Sequence, residues 1–236
     1  MNTGDQGQEL LIQLETALHR LVESFWDEPY RFFTEADAVA ALETWIARRP
    51  ELAQPRRTAD GCETGLLHRE YPTFFRFYKN NPTRREGSPA KRGHYDLALL
   101  DPAYVQGYAA ETVINRDIAD RGDLSNPPLL AAVEFKLFAR GWSTSGLRGV
   151  EQDLGKLLGK LRLALEPPAD VGAAYLCVLQ RDVSKTRYRW EHHWPAVEKT
   201  LAKFPDVRVV LAVCWPGERE PFVHYGGPWI TAATVC

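Results

Sequence analysis

Two charged residues sit inside an apolar run. Residues 129–138 read LLAAVEFKLF, with Glu134 and Lys136 separated by Phe135. Side chains alternate faces along a strand, so Glu134 and Lys136 share one face while Val133, Phe135 and Leu137 take the other. An isolated charge buried in such a strand costs several kcal/mol unless it is paired or bound to a metal ion. A second apolar run, HYDLALL at 94–100, carries Asp96 immediately after a basic, glycine-containing stretch. Asp96, Glu134 and Lys136 are therefore the candidate chemical set. The acid-x-Lys triplet occurs once in a chain with 31 acidic residues, about what chance gives. A plain salt bridge at a strand end is the alternative reading.

Cations precede this set. Arg76, Lys79, Arg84, Arg85, Lys91 and Arg92 stand against one acid, Glu86, in the stretch leading to Asp96. Such a loop can deliver positive charge to a phosphate backbone. Phe74, Phe75, Phe77 and Tyr78 are interleaved and could stack on unpaired bases. The plainer reading makes them core residues beside a solvated turn. A second basic cluster, Arg181, Lys185, Arg187 and Arg189, follows a strand-like segment. His192 and His193 are adjacent and diverge on a helix, which argues against a His-His metal pair. Cys62, Cys177, Cys214 and Cys236 lack zinc-site spacing. No phosphate-cradling glycine loop, dinucleotide fingerprint or nucleophile elbow is present.

These residues need elements to position them. Leu10, Leu11, Leu14, Leu18, Leu21, Val22 and Phe25 follow helical spacing over 8–27. A second helix is expected over 35–48, with Thr34 as N-cap and Glu35 and Asp37 at the positive end of its dipole. Residues 50–65 read as irregular, 66–78 as partly extended with Pro72 at an edge, bend or bulge, and 79–93 as an exposed loop. Strands are expected at 94–100, 129–138, 173–180 and 207–215, with a short one in the tail. A weak helical signal covers 103–128, a strong one 146–165, and a further helix is expected over 190–203. That order predicts one α/β domain over 1–236 with a central mixed β-sheet flanked by helices.

The chain resembles the PD-(D/E)XK nuclease superfamily, the restriction-endonuclease-like fold. GHYDLALL matches the first acid, AAVEFKL the acid-x-Lys strand, and GVEQDLGKLLGKL the core helix that follows. LLHREYP matches the segment upstream of the first acid. The resemblance covers about residues 66–180, and Tyr95 stands where the eponymous proline would be. It implies a core over 66–215 with an insertion at 102–128, preceded by N-terminal helices over 1–50. It also implies that Asp96 and Glu134 bind Mg²⁺ (Mn²⁺ as a substitute), joined by the main-chain carbonyl of Phe135, with Lys136 beside the attacking water. An extra acid is expected from Glu70, Glu35 or Glu15. Glu70 is favoured because LLHREYP lies nearest the strands. Gln152, Asp153 and Lys156 would lie on the helix near the site, although an Asp153–Lys156 ion pair would serve as well. Two carboxylates and a carbonyl are oxygen donors Mg²⁺ accepts. The ion offsets the cost of crowding the carboxylates and assists phosphodiester hydrolysis.

Composition sets the bounds. The 236 residues are 44% apolar and 25% charged, with net charge −2. That excludes a uniformly basic DNA-coating protein but allows a local basic groove. The first residues lack the basic-then-apolar pattern of a secretory signal, and the cysteines read as reduced, so a cytoplasmic protein without a membrane span is expected. The expectation is a Mg²⁺-dependent nuclease, a hydrolase acting on nucleic acid with DNA favoured, in defence or repair. A homodimer fits the nucleases it resembles. The alternative is a catalytically silent module of the same fold that binds nucleic acid or a protein partner. A third reading is an unrelated α/β protein in which Glu134 and Lys136 form a surface ion pair.

Overall fold

Helix α1, Thr3–Asp27, buries the stripe its spacing demands: Leu10, Leu14, Leu18, Leu21 and Phe25 are shut off from solvent. Helix α2, Glu35–Ile46, packs against it and is closed by a capping box. The Asp37 amide donates to Thr34 Oγ1 at 3.3 Å, and the Thr34 amide donates to Asp37 Oδ2 at 2.8 Å. The Phe33 amide donates to the same carboxylate oxygen at 2.8 Å. These amides, Thr34 first and then Phe33, hold the Asp37 carboxyl below its ordinary range.

The computed structural model describes residues 3–77, 91–115, 129–138, 146, 148–154, 157, 173–181, 195–196, 198–214, 222–227 and 229–230. The region expected to be irregular holds a short helix, α3 (Pro50–Ala53), and a two-stranded ribbon of β1 (Arg56–Arg57) and β2 (Glu63–Thr64). The main sheet has six strands in sequence order: β3 (Leu67–Phe77), β4 (Lys91–Leu100), β5 (Leu129–Phe138), β6 (Ala173–Arg181), β7 (Val207–Cys214) and β8 (Phe222–Gly226). Strands β3, β4 and β5 are antiparallel, β5, β6 and β7 parallel, and β8 antiparallel again. The α/β mixed sheet expected from the element order is therefore present. Strands β6 and β7 are buried along their whole length, as parallel strands covered on both faces must be. Pro72 lies on the edge strand β3, beside a register shift between Pro72 and Arg76, where its missing N–H does least harm.

The expected loop over 79–93 needs correction. Lys91, Arg92 and Gly93 belong to β4, with Lys91 opposite Phe77 and Arg92 opposite Arg76. Cross-strand pairing here overrides the poor strand propensity of a Lys-Arg-Gly run. The rest of that loop, 79–90, lies outside the described residues. The weak helical signal after β4 resolves into α4 (Pro102–Gly107) and α5 (Ala110–Asn115). Asp101 caps α4, its Oδ1 accepting the Ala103 amide at 2.7 Å. The strong helix expected over 146–165 is helical at 146, 148–154 and 157. The helix expected over 190–203 is helical at 195–196 and 198–201. The second helix ends at Leu201, with 202–203 in a turn; the other positions of both regions lie outside the described residues. No helix among the described residues is long and apolar enough to cross a membrane.

Cys177 and Cys214 are buried free thiols. Burial pushes the Cys177 thiol far up and the Cys214 thiol up to about 12, which makes both poor nucleophiles. His19 packs against Tyr225 and Trp229, with ring centroids 4.8 and 5.5 Å away. Burial lowers its pKa, against an opposing pull from Glu15 and Glu23, and burial likewise lowers that of His224. Below the ordinary histidine pKa of about 6.5 the unfolded chain therefore binds protons the folded chain resists. Stability from both groups is complete above that pH and declines as pH falls from there through the depressed folded values. A thermal melt series from neutral to mildly acidic pH should show a falling midpoint, less steep in His19→Gln. A flat profile refutes the assignment.

Candidate active site

The site is built where β4 and β5 part. Their register pairs Leu99 with Ala131, Ala98 with Ala132 and Leu97 with Val133; the ladder ends there, one step before Asp96 and Glu134, which that register would place on one face. At that step the Phe135 amide donates to the Asp96 carboxylate, 2.6 Å from Oδ2. A side chain has taken the place of a backbone acceptor. Strand β5 is buried through Phe135 and half-buried from Lys136 onward, so the fork opens toward solvent.

Lys136 sits among carboxylates. Its Nζ lies 2.8 Å from Asp153 Oδ2 and 3.4 Å from Glu35 Oε1, and it donates to the Phe135 carbonyl at 3.3 Å. Burial works against the ammonium charge. The charge and hydrogen bond of Asp153, then Glu35 and Asp96, outweigh it and hold Lys136 above the ordinary lysine range. Glu134 is 1% exposed. The Tyr95 phenol is pushed up mainly by burial and further by the charge of Glu134. Glu134 and Lys136 are thus not a surface ion pair. Lys136 is engaged by α2 and by the helical segment carrying Asp153.

Glu70 enters from β3 with φ of 47°, a left-handed backbone that costs a non-glycine residue about 1–2 kcal/mol. It interrupts the β3–β4 ladder between Arg69–Leu97 and Tyr71–Tyr95, at the level of Asp96. A cavity of about 420 Å³ is lined by Glu70, Asp96 and Leu137 from the sheet and by Phe33, Glu35 and Val39 from the start of α2.

Of the three acids proposed for the extra position, two reach this cavity. Glu35 stands on the first turn of α2, where the helix dipole favours a carboxylate. Glu15 is excluded by position. It is fully buried and accepts from Tyr175 Oη at 2.8 Å and from the Ile230 amide, with Arg208 Nε 3.4 Å away. No family model, curated protein or solved structure matches the chain.

The remaining candidates divide. Asp153 joins the site through Lys136, so the Asp153–Lys156 pairing is not needed to explain it. Gln152 is exposed. Lys156 lies outside the described residues. The backbone register sets Arg76 and Arg92 opposite each other on the β3–β4 ribbon, with Lys91 one step further. Lys79, Arg84 and Arg85 lie outside the described residues, as do Tyr78, Lys185, Arg187, Arg189, His192, His193 and Cys236. Arg181 is not a loop residue: it ends β6, 9% exposed, stacked against Tyr30 and Phe33. Sequence reasoning missed Tyr30 and Phe33 altogether, although an aromatic pair flanking a helix N-cap was visible in PYRFFT at 29–34.

The donor chemistry can be tested against a hard divalent cation. Among the described residues no three His, Cys, Asp or Glu side chains are gathered as a ready metal cage. Mg²⁺ does not demand one: it keeps several waters and binds through one or two carboxylates. Asp96, Glu134 and the Phe135 carbonyl are oxygen donors of that kind, and Glu35 and Glu70 add negative charge at the cavity wall. The residues fit such an ion.

Proposed function

We propose that the chain is a metal-dependent nuclease that hydrolyses phosphodiesters in nucleic acid, DNA foremost. The observation that carries this reading is the fork itself: Asp96 accepts the Phe135 amide where β4 and β5 part, and Lys136 lies between Asp153 and Glu35, next to a cavity lined by Asp96, Glu35 and Glu70. The resemblance to the PD-(D/E)XK superfamily points to the same three residues. Asp96, Glu134 and the Phe135 carbonyl would hold Mg²⁺ or Mn²⁺. When bound, the ion supplies charge neutralisation on the phosphate and a more acidic water. Lys136, kept charged by its neighbours, stabilises the negative charge that builds on the phosphoryl oxygens. Glu70 or Glu35, both on the cavity wall, can accept a proton from water. No covalent nucleophile is required.

A second reading is the catalytically silent module, favoured by the lack of a ready acid cage among the described residues. One experiment separates them. Purified protein is incubated with single- and double-stranded DNA and RNA in Mg²⁺, in Mn²⁺ and in chelator, and its melting midpoint is followed in parallel. The nuclease reading expects cleavage in metal and none in chelator. It also expects the midpoint to rise with metal concentration by mass action. No cleavage of any substrate, with no shift in midpoint, refutes it and leaves the silent module.

A further inference from the structure

We infer that Tyr30, Phe33 and Arg181 form a capture platform for an unpaired nucleotide, its base stacked on the rings and its phosphate against the guanidinium. The inference deepens the proposed function and rests on it for the class of ligand, nucleic acid.

Three observations carry it. Tyr30 and Phe33 are 56% and 74% exposed, two of the three large apolar side chains left in solvent among the described residues. Arg181 lies behind them, with its guanidinium carbon 5.6 Å from the Tyr30 ring centre and 5.9 Å from that of Phe33. Arg181 is itself 9% exposed, and its Nε is buried without a hydrogen-bond partner. A desolvated cation needs a counter-charge, and ring faces return only part of the lost hydration. An anion arriving with the ligand supplies the remainder.

The neighbouring rings say which anion. A guanidinium beside two exposed ring faces matches a nucleotide, which brings a phosphate and a flat π-face together. The backbone beneath the rings is held. The Phe33 amide is tied to Asp37, and Tyr30 sits in the 3₁₀ turn Pro29–Arg31. Phe33 belongs to two sites at once, because it also lines the cavity of Asp96 and Glu70. A base seated on Phe33 therefore lies beside the proposed chemistry. Bases inside a duplex are stacked on one another and offer no free face, so the platform selects single strands, flaps or flipped bases.

The test measures binding in chelator, so that cleavage and metal play no part. Fluorescence anisotropy compares a labelled single-stranded oligothymidylate with a duplex of the same length, for wild type, Tyr30→Leu, Phe33→Leu and the double variant. Both rings are at the surface, and a thermal melt checks that each variant folds. Wild type should bind the single strand about tenfold tighter than the duplex. Each ring lost should weaken single-strand binding by roughly tenfold and leave duplex binding unchanged. Arg181→Gln should weaken it further if the variant folds. Equal affinity for both strands, no measurable single-strand binding, or leucine variants that bind like wild type each overturn the platform. Ring-dependent binding without cleavage in any metal keeps the platform and removes the nuclease. Cleavage with ring-independent binding does the reverse.

Discussion

Glu134→Gln and Lys136→Met should each lower metal-dependent cleavage by about two to three orders of magnitude while the fold persists. The two losses have different causes. Glutamine keeps the shape of the buried Glu134 side chain but removes its charge, so it weakens metal binding, and the metal-induced rise in melting midpoint should shrink with the activity. Methionine keeps most of the length of Lys136 but leaves Asp153, Glu35 and Asp96 without the ammonium that now sits among them. That variant should melt earlier in chelator, and added divalent cation should raise its midpoint by more than it raises that of wild type. The cation then relieves repulsion that the lysine had been offsetting. Cleavage rates under substrate saturation and melts across a metal titration check both variants. Wild-type cleavage in either one places the chemistry elsewhere.

What the sequence made legible was local. Thr34 as N-cap is readable because its capping partner, Asp37, is three residues away. The limits of β5 follow from an apolar run with one charged pair, and Pro72 on an edge strand follows from its missing N–H. What escaped was decided by distant partners. Lys91–Gly93 became strand because β3 lies alongside, which composition does not encode. Glu35 meets Lys136 across 101 residues, and no spacing rule links a helix N-terminus to the end of a particular strand. Arg181 looked like the first residue of a basic loop. Its burial depends on Tyr30 and Phe33 arriving from the α1–α2 connection. The three proposed catalytic residues were legible because each interrupts an apolar strand, where a charge needs an explanation. The acids around them, Glu35, Glu70 and Asp153, could be named only through the resemblance, since each sits at a helix start, a helix face or an edge strand where a charge is ordinary.

The largest stability effect should come from Glu15, far from the chemistry. Its carboxylate is fully buried and takes the Tyr175 hydroxyl at 2.8 Å and the Ile230 amide at 3.0 Å, with Arg208 alongside at 3.4 Å. It joins α1 to β6, to β7 and to the chain after β8. Burial first, and then the charge of Glu15, raise the Tyr175 phenol. Glu15→Ala takes the carboxylate away from the nearly buried Arg208 guanidinium, the Tyr175 phenol and the Ile230 amide, and should cost about 3–5 kcal/mol. For a chain of this size that is a drop in melting midpoint of about 10 °C. Arg208→Met alone should also destabilise, but Glu15→Leu combined with Arg208→Met should recover much of the loss, because the two buried charges are then removed together. Denaturant midpoints for Glu15→Leu, Arg208→Met and the double close the cycle. If Glu15→Ala costs under about 1 kcal/mol, the carboxylate is not the tie described. The effect should also reach the proposed site. Helix α2 rests on α1, and α2 with its N-cap brings Phe33 and Glu35 to the cavity. Loosening α1 from β6 and β7 therefore loosens the wall opposite Asp96 before it touches any residue of the fork.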